Sequence, residues 1–334
     1  MSVRDHDDED ALDPRDPSRP GPERSAIPPQ DDLDDESVDD DIDDEEDDED
    51  EDSPAPGSPR GELPKLNILY GDDQFGDEEG EFEDDDEDDV EDGRRAVLIT
   101  GASGNIGRKL RAAFEDRYDL VLLDIENPDG DPAIIEADLA EWDDDWITHF
   151  HSVDTVIHLA GNPNEFAPWE ELLYPNIDAM ANVFHAAVLA GVERLIFASS
   201  NHAMGEYRYI EGLEITVDLP PKPDGPYGGL KLVGERLGRS LAKAFDISFI
   251  AIRLGWVQPG ENRPETLPHD WAKTHWLSNR DMVQLFECAI ETDLEERESV
   301  VVNGVSRNSS TRWDLTPAIE LLGYDPLDNA HGDQ

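Results

Sequence analysis

From residue 94 onwards, short apolar runs alternate with longer stretches in which apolar residues recur at helical spacing. The apolar runs stand at 96–99, 120–123, 133–135, 155–159, 194–198 and 248–254. Helix-like stretches lie between most of them, at 106–115, 142–150, 176–190 and 227–244. Strands that alternate with helices are typical of a parallel sheet with right-handed crossover connections. The pattern therefore predicts an α/β fold with a doubly wound parallel sheet.

The pattern changes after Leu254, where loop-like sequence with several aromatic residues and prolines begins. Here the spacing predicts a helix at 278–291, a strand at 300–302 and a second helix at 314–322. We therefore expect a sheet domain at 94–255 and a small C-terminal lobe at 256–330, some elements of which return to the sheet. The lobe would cover the carboxyl edge of the sheet, where such folds bind their ligands.

Residues 1–93 lack this periodicity and are dominated by acidic blocks. They hold 42 of the 83 acidic residues of the chain but only 6 of its 26 basic residues. Such a segment cannot bury enough apolar surface to offset the conformational entropy of folding, so we expect a disordered acidic tail. One less polar patch within it, Leu63–Tyr70, is either a short docking motif or a chance run of apolar residues.

The charge of the chain narrows the classes of partner. The formal net charge of the 334 residues is −57, and the part after the tail is also strongly acidic. Nucleic acids and anionic membrane surfaces are therefore excluded as partners, because their phosphates would be repelled. A salt-rich cytoplasm, in which ions screen the self-repulsion, accounts for the same charge.

The expected location follows from the apolar content of the chain. No apolar run reaches the length of about 18 residues that a membrane-spanning helix needs, and the N-terminus has no apolar signal region. The single cysteine, Cys288, cannot form a disulfide within the chain. These features predict a cytoplasmic protein, and they leave open whether its copies form a homo-oligomer.

The most informative motif is TGASGNIG at 100–107, which follows the first apolar run directly. Its glycines, Gly101, Gly104 and Gly107, suit a tight turn, close approach of a pyrophosphate and close packing of helix on strand, in that order. The helix-like stretch begins at Ile106, and its free N–H groups and positive dipole end favour phosphate, so Asn105 and Ile106 are also expected to bind the cofactor. Strand, glycine turn and helix in this order predict a Rossmann-type dinucleotide site.

Residues at the ends of the next predicted strands would complete that site. Asp124 ends the second strand, where a carboxylate can accept both hydrogen bonds from the adenosine ribose and would repel a 2′-phosphate. We therefore expect NAD rather than NADP, with an N-cap or turn role for Asp124 as the alternative. The third and fourth strands end in two groups expected beside the cofactor, namely Asp138–Leu139 near the adenine and the HLAG segment with Leu159, Ala160 and Gly161.

Tyr227 and Lys231 stand four residues apart at the start of a predicted helix, so their side chains share one face. A free tyrosine has a pKa of about 10, and a nearby ammonium favours the phenolate and lowers that pKa. Tyrosine can then take a hydroxyl proton while a hydride passes to the cofactor. The fifth strand leads into SSNH at 199–202. We expect Ser200 to hydrogen-bond the reacting oxygen and Asn201 and His202 to face the ligand, unless this segment is only a capping turn.

Together these motifs resemble the extended short-chain dehydrogenase/reductases, the NAD-dependent epimerase/dehydratase family. The resemblance covers residues 94 to 329 and rests on TGASGNIG, Asp124, Asp138–Leu139, HLAG, Asn176, FASSNH, PDGPYGGLK and LGYDPLDNA. The last three of these are most similar to its uronate dehydrogenases and archaeal NAD-dependent glucose-6-phosphate dehydrogenases. The resemblance implies oxidation of a sugar at C1 to a lactone, with NAD as the acceptor and without a metal.

The resemblance also implies roles for single residues: catalysis by Ser200, Tyr227 and Lys231, sugar contacts by Asn201 and His202, and a place beside NAD for Asn176. Arg263 lies near, but out of register with, a carboxylate-binding arginine of the uronate enzymes. A loop arginine suits a carboxylate or phosphate, with a surface ion pair as the alternative. The sequence departs from the uronate enzymes at Pro163 and Trp256, where they carry serine, so the identity of the sugar stays open.

Two other function classes compete with a sugar dehydrogenase. An NAD-dependent nucleotide-sugar epimerase or dehydratase would use the same serine, tyrosine and lysine. Its substrate lobe would also have to hold a nucleotide diphosphate, for which 256–330 is short. A protein that only senses NAD would not need these three residues together.

Overall fold

The computed structural model describes residues 93–294 and 298–332. The chain separates into two units, Met1–Glu83 and Asp84–Gln334, and all described residues belong to the second. Our expectations for the acidic tail, including the patch Leu63–Tyr70, lie outside the described residues.

Seven strands form one sheet, each at or near an apolar run of the sequence. They are β1 (Ala96–Thr100), β2 (Asp119–Asp124), β3 (Ile134–Glu136), β4 (Thr155–His158), β5 (Arg194–Ser200), β6 (Ser248–Leu254) and β7 (Ser299–Gly304). Their order is β3-β2-β1-β4-β5-β6-β7, and every neighbouring pair is parallel. The strands wind outward from β1 in both directions, which confirms the doubly wound, Rossmann-type α/β fold.

The helices of the described ranges lie between these strands, except for α8, which follows β7. They are α1 (Asn105–Phe114), α2 (Asp144–Ile147), α3 (Trp169–Leu173), α4 (Ala179–Leu189), α5 (Pro226–Ala244), α6 (Asp270–Thr274), α7 (Asn279–Glu291) and α8 (Thr316–Leu322). The predicted helix at 142–150 is shorter in the structure, because α2 tightens into a 3₁₀ turn at Thr148–Phe150. No helix within 93–294 and 298–332 is long and apolar enough to cross a membrane.

Alternation along the strands divides the core into two layers, one on each face of the sheet. In β6, Ile250 and Ile252 pack in one layer with residues of α1, α7 and α8. Phe249 and Ala251, the alternate residues of the same strand, pack in the other layer with residues of α4 and α5. Side chains of a strand point to opposite faces in turn, so a strand buried on both faces must be apolar throughout.

The C-terminal segment contributes to the same sheet. β7 pairs with β6 from Phe249↔Ser299 to Leu254↔Gly304. An isolated backbone β-bridge between Trp256 and Trp276 joins the loop after β6 to the segment before α7. The division into a domain at 94–255 and a lobe at 256–330 stays a prediction.

Candidate active site

The glycine loop between β1 and α1 is fixed by contacts that only glycine allows. Gly101 has a φ of +72°, and a Cβ there would lie 2.8 Å from the Ala160 nitrogen in the loop after β4. A Cβ on Gly107 would lie 2.2 Å from the Gly101 carbonyl oxygen. The loop therefore turns tightly against the end of β4, and α1 packs directly on it. Gly104 is the N-cap of α1 and provides no side-chain hydrogen bond to the first N–H groups of the helix, which suit a phosphate.

The carboxylate of Asp124 lies against this loop at the end of β2. Its Oδ2 accepts a hydrogen bond of 2.8 Å from the Ser103 N–H, and its Oδ1 accepts one of 3.2 Å from the Glu126 N–H. The side chain is partly exposed. It is therefore oriented by the backbone and keeps lone pairs for a ligand, which suits both its predicted ribose role and the turn role.

The residues predicted near the adenine follow β3. Asp138 Oδ2 accepts a hydrogen bond of 3.0 Å from the Tyr174 hydroxyl. Asn182 of α4 donates to the carbonyl oxygens of Leu139 and Ala140 at 3.0 Å each. Sequence reasoning missed Tyr174 and Asn182, because each meets this segment only through the fold.

A hydroxyl network orders the end of β4. Thr100 Oγ1 accepts hydrogen bonds from the N–H groups of Leu159 (3.2 Å) and Ala160 (3.3 Å) and lies 2.9 Å from His158 Nδ1. The Thr100 hydroxyl and the His158 ring therefore share a buried hydrogen bond. Burial, and to a lesser extent the Lys231 charge, lowers the pKa of His158 to about 3. His158 is therefore a neutral, hydrogen-bonded core residue.

Asn176 holds the backbone that follows Gly161. It lies in a widened helical turn, Tyr174–Asp178, and is buried. Its Oδ1 accepts from the Asn162 N–H at 2.9 Å, and its Nδ2 donates to the Asn162 carbonyl at 3.1 Å. In this structure both amide atoms shape the loop beside the glycine turn, and direct contact with the cofactor stays a prediction.

The predicted serine, tyrosine and lysine come together where β5 ends against α5. We call Ser200, Tyr227 and Lys231 the Ser-Tyr-Lys set. Ser200 Oγ donates to Asn201 Oδ1 at 3.3 Å and accepts from the His202 N–H at 3.2 Å, and the interaction of Ser200 with the Tyr227 phenol favours the phenolate. The Lys231 ammonium lies 5.5 Å from the centre of the Tyr227 ring and 5.0 Å from that of Phe197. Positions four apart on α5 thus share one face, as the spacing predicts.

Burial is the main cause of the pKa shifts of Tyr227 and Lys231. Desolvation, together with the nearby Glu165 carboxylate, raises the pKa of Tyr227 to about 12, although the Ser200 hydrogen bond opposes the rise. Desolvation lowers the pKa of Lys231 to about 8. The expectation that the ammonium would bring the tyrosine below its ordinary value is wrong for the chain by itself. The reason is that both groups leave water together, and desolvation penalises each charged form.

His202 is oriented by a residue that sequence reasoning missed. The carboxylate of Asp224 lies 2.9 Å and 3.0 Å from His202 Nδ1, and it is only 10% exposed. A Cβ on Gly205 would lie 2.1 Å from Asp224 Oδ2, so this carboxylate needs glycine beside it. With Nδ1 held, Nε2 is the nitrogen that His202 can offer to a ligand. The only sequence signal was the position of Asp224 three residues before Tyr227.

Arg263 lies in the loop after β6, immediately before a 3₁₀ turn at Pro264–Thr266. Its guanidinium pairs with Glu261, and the two side chains are 65% and 72% exposed. A hydrogen bond connects the same loop to α1, in which Asn105 Nδ2 donates to the Val257 carbonyl oxygen at 3.0 Å. The geometry favours the surface ion pair that the sequence left as an alternative, and a substrate contact stays a prediction.

Comparison with known proteins identifies the family. The profile of the NAD dependent epimerase/dehydratase family matches residues 97–268. An NAD-dependent glucose-6-phosphate dehydrogenase of Haloferax volcanii is 37% identical over 252 residues, which are 70% of this chain and 94% of that protein. The chain belongs to the NAD dependent epimerase/dehydratase family. This membership confirms the resemblance seen in the sequence, and with it the NAD cofactor.

Two further known proteins are similar to this chain. An L-arabinose 1-dehydrogenase (NAD(P)(+)), also of Haloferax volcanii, is 31% identical over 70% of this chain and 97% of its own length. The crystal structure of uronate dehydrogenase from Agrobacterium tumefaciens superposes with a TM-score of 0.59 at 29% identity, covering 71% of this chain and 86% of that one. The stretch matched to the epimerase/dehydratase profile contains every residue predicted here for the cofactor, the reaction and the substrate.

Proposed function

We propose that this chain is an NAD-dependent sugar dehydrogenase that oxidises the C1 hydroxyl of a cyclic sugar to a lactone. The observation that carries the proposal is the Ser-Tyr-Lys set, held together at the sheet edge that also bears the glycine loop. Support comes from relatives named as dehydrogenases of glucose 6-phosphate, L-arabinose and uronate. A nucleotide-sugar epimerase, the alternative, has less support from these relatives.

The residues around the glycine loop fit NAD. A pyrophosphate would lie on the N-terminus of α1, where Gly104 leaves the backbone N–H groups open. The ribose hydroxyls would bind the Asp124 carboxylate, and Lys231 would reach the nicotinamide ribose. When bound, oxidised NAD supplies the acceptor for the hydride of C1.

Side chains of this protein accept the proton of the C1 hydroxyl. Oxidation breaks the C1–H bond and the O–H bond of the sugar and forms a C1=O bond, so one hydride and one proton must leave. Tyr227 Oη takes the proton, and the Ser200 hydroxyl steadies the reacting oxygen. A phenol with a pKa of about 12 gives up its own proton only beside positive charge, which Lys231 supplies while protonated.

The sugar contacts are proposed from the same edge. His202, held by Asp224, would offer Nε2 to a ring hydroxyl, and the buried Asn201 amide would contact a second one. Arg263 would meet an anionic substituent if its pair with Glu261 opened. We further infer a salt-rich cytoplasm as the working environment, supported by the net charge of −57 and by relatives from Haloferax volcanii.

The test is an absorbance screen for NADH with purified full-length protein in molar salt. Glucose 6-phosphate, L-arabinose, glucuronate and UDP-glucose are offered separately, with Tyr227→Phe as the matched variant. We expect NADH from at least one free sugar, uronate or sugar phosphate, and a loss of about 10²-fold or more in kcat for the variant. Conversion of UDP-glucose without net NADH would instead establish the epimerase.

A further inference from the structure

A buried ion pair between Glu235 and Arg253 lies one helical turn along α5 from the Ser-Tyr-Lys set. Glu235 follows Lys231 by one helical turn of α5, and its Oε1 accepts hydrogen bonds from Ser199 Oγ at 2.6 Å and Arg253 Nε at 2.9 Å. Its Oε2 accepts from Arg253 Nη2 at 2.8 Å. The Glu235 and Arg253 side chains are only 6% and 3% exposed. We call Ser199, Glu235 and Arg253 the anchor triad.

The anchor triad joins α5 and β5, which carry the Ser-Tyr-Lys set, to the neighbouring strand β6. Ser199 immediately precedes Ser200 at the end of β5, and it is the register partner of Arg253 on β6. Glu235 is on the same helix as Tyr227 and Lys231, spaced by four residues each time. A planar guanidinium that binds one carboxylate through two nitrogens fixes direction as well as distance. The pair thus sets both the rotation of α5 and its position along β5.

A buried ion pair of this kind contributes little net stability to a fold. Burying two charges carries a desolvation penalty that the attraction between them often only offsets. Here the penalty is incompletely offset, since Arg253 Nη1 is buried without a hydrogen-bond partner. Apolar side chains of similar volume would fill the same space without that penalty.

The other end of the same two strands provides a comparison. Arg194 and Ser248 are also register partners on β5 and β6, and Arg194 Nε donates to Ser248 Oγ at 3.2 Å. Arg194 is buried too, and Nη1 donates to backbone carbonyl oxygens of α7, among them Ala289 at 3.4 Å. This second arginine–serine pair has neither a carboxylate from α5 nor a place at the active edge.

We propose that the anchor triad consists of positioning residues, which hold Tyr227 and Lys231 at working distance from Ser200. The inference rests on the proposed function for its kinetic consequence, but it also predicts an effect on NADH binding. Because Lys231 is one turn from Glu235, a shift of α5 displaces the lysine from the nicotinamide ribose. Misplacement of reacting groups by about 1 Å lowers turnover by up to roughly a hundredfold.

The test separates positioning from stability with a double replacement. Removing one partner, as in Glu235→Leu or Arg253→Met, leaves a buried charge unpaired and should lower the melting temperature strongly. Glu235→Leu with Arg253→Met removes both charges and should melt near the wild-type temperature. The matched control is Arg194→Met, which removes another buried arginine, at the far end of β5. For each protein in molar salt we would measure melting, NADH binding by fluorescence, and kcat and KM on the sugar that the wild type oxidises.

The double variant should recover the melting temperature but not the function. We expect kcat to fall by roughly tenfold to a hundredfold with little change in KM, and NADH to bind several-fold more weakly. Arg194→Met should keep wild-type kcat and NADH affinity in its folded form, whatever its melting temperature.

A double variant with wild-type kcat and NADH affinity would overturn the proposal and leave the anchor triad a purely structural feature. If the double variant does not fold, Ser199→Ala takes its place, because it removes one hydrogen bond and no charge. Unchanged turnover and NADH binding in that variant would likewise refute positioning. If the wild type oxidises no sugar, the proposed function fails, while the NADH measurements still decide the role of the anchor triad.

Discussion

Acidification should destabilise this protein through His158. This residue ends β4 and is only 1% exposed. Its pKa lies at about 3, mainly because burial penalises the imidazolium and secondarily because of the Lys231 charge. The Thr100 hydroxyl shares a hydrogen bond of 2.9 Å with Nδ1 of the same ring.

The sign and size of the effect follow from proton linkage. Below the ordinary histidine pKa of about 6.5, the unfolded chain binds a proton at this residue and the folded chain does not. The unfolded state is therefore favoured increasingly as the pH falls from 6.5 towards 3. At about pH 5 the loss from His158 amounts to about 2 kcal/mol of unfolding free energy. His275, also buried with a pKa lowered to about 3 chiefly by desolvation, adds a comparable loss.

The perturbation is His158→Asn, which keeps a polar side chain that can hydrogen-bond the Thr100 hydroxyl but cannot titrate. Urea unfolding at constant high salt would be measured between about pH 7.5 and pH 5 for the wild type and the variant. The variant should lose about 2 kcal/mol less than the wild type over this interval, while His275 still contributes its part. His151→Asn, at an exposed position, controls for the loss of a histidine. Parallel acid profiles for His158→Asn and the wild type would refute the reasoning.

Four other expectations concern the cofactor, the loop and the tail. Asp124→Ala should weaken NAD binding and narrow the preference for NAD over NADP, which binding titrations with both would show; a wild type that prefers NADP would contradict the ribose role. Gly107→Ala should cost about 1–3 kcal/mol of stability and impair NAD binding, because the new Cβ would lie 2.2 Å from the Gly101 carbonyl oxygen. An unchanged melting temperature would contradict the predicted steric clash. Arg263→Ala should raise KM about tenfold for an anionic sugar and less for a neutral one, and equal effects on both would make it structural. A chain that starts at Gly93 should keep its melting temperature and activity, and a large drop in either would show that the tail packs on the fold.

The sequence by itself determined the architecture and which residues are candidates for the chemistry. Apolar runs of strand length, separated by amphipathic stretches, leave few solutions other than a parallel sheet with helices on both faces. The glycine motif at 100–107 and the pair Tyr227 and Lys231 could be recognised because their geometry is local. A tight turn, a helix start and a spacing of four residues are each written within a few positions of the chain.

Only the tertiary structure decided which distant side chains meet and what their charges do. Asp224 reaches His202, and Glu235 reaches Arg253, across separations that no local pattern encodes. The pKa of Tyr227 rises because folding removes water from it, whereas the neighbouring lysine in the sequence suggested a fall. Desolvation depends on every element packed around a group, so it is a property of the assembled fold and is not readable from the residues beside it in the chain.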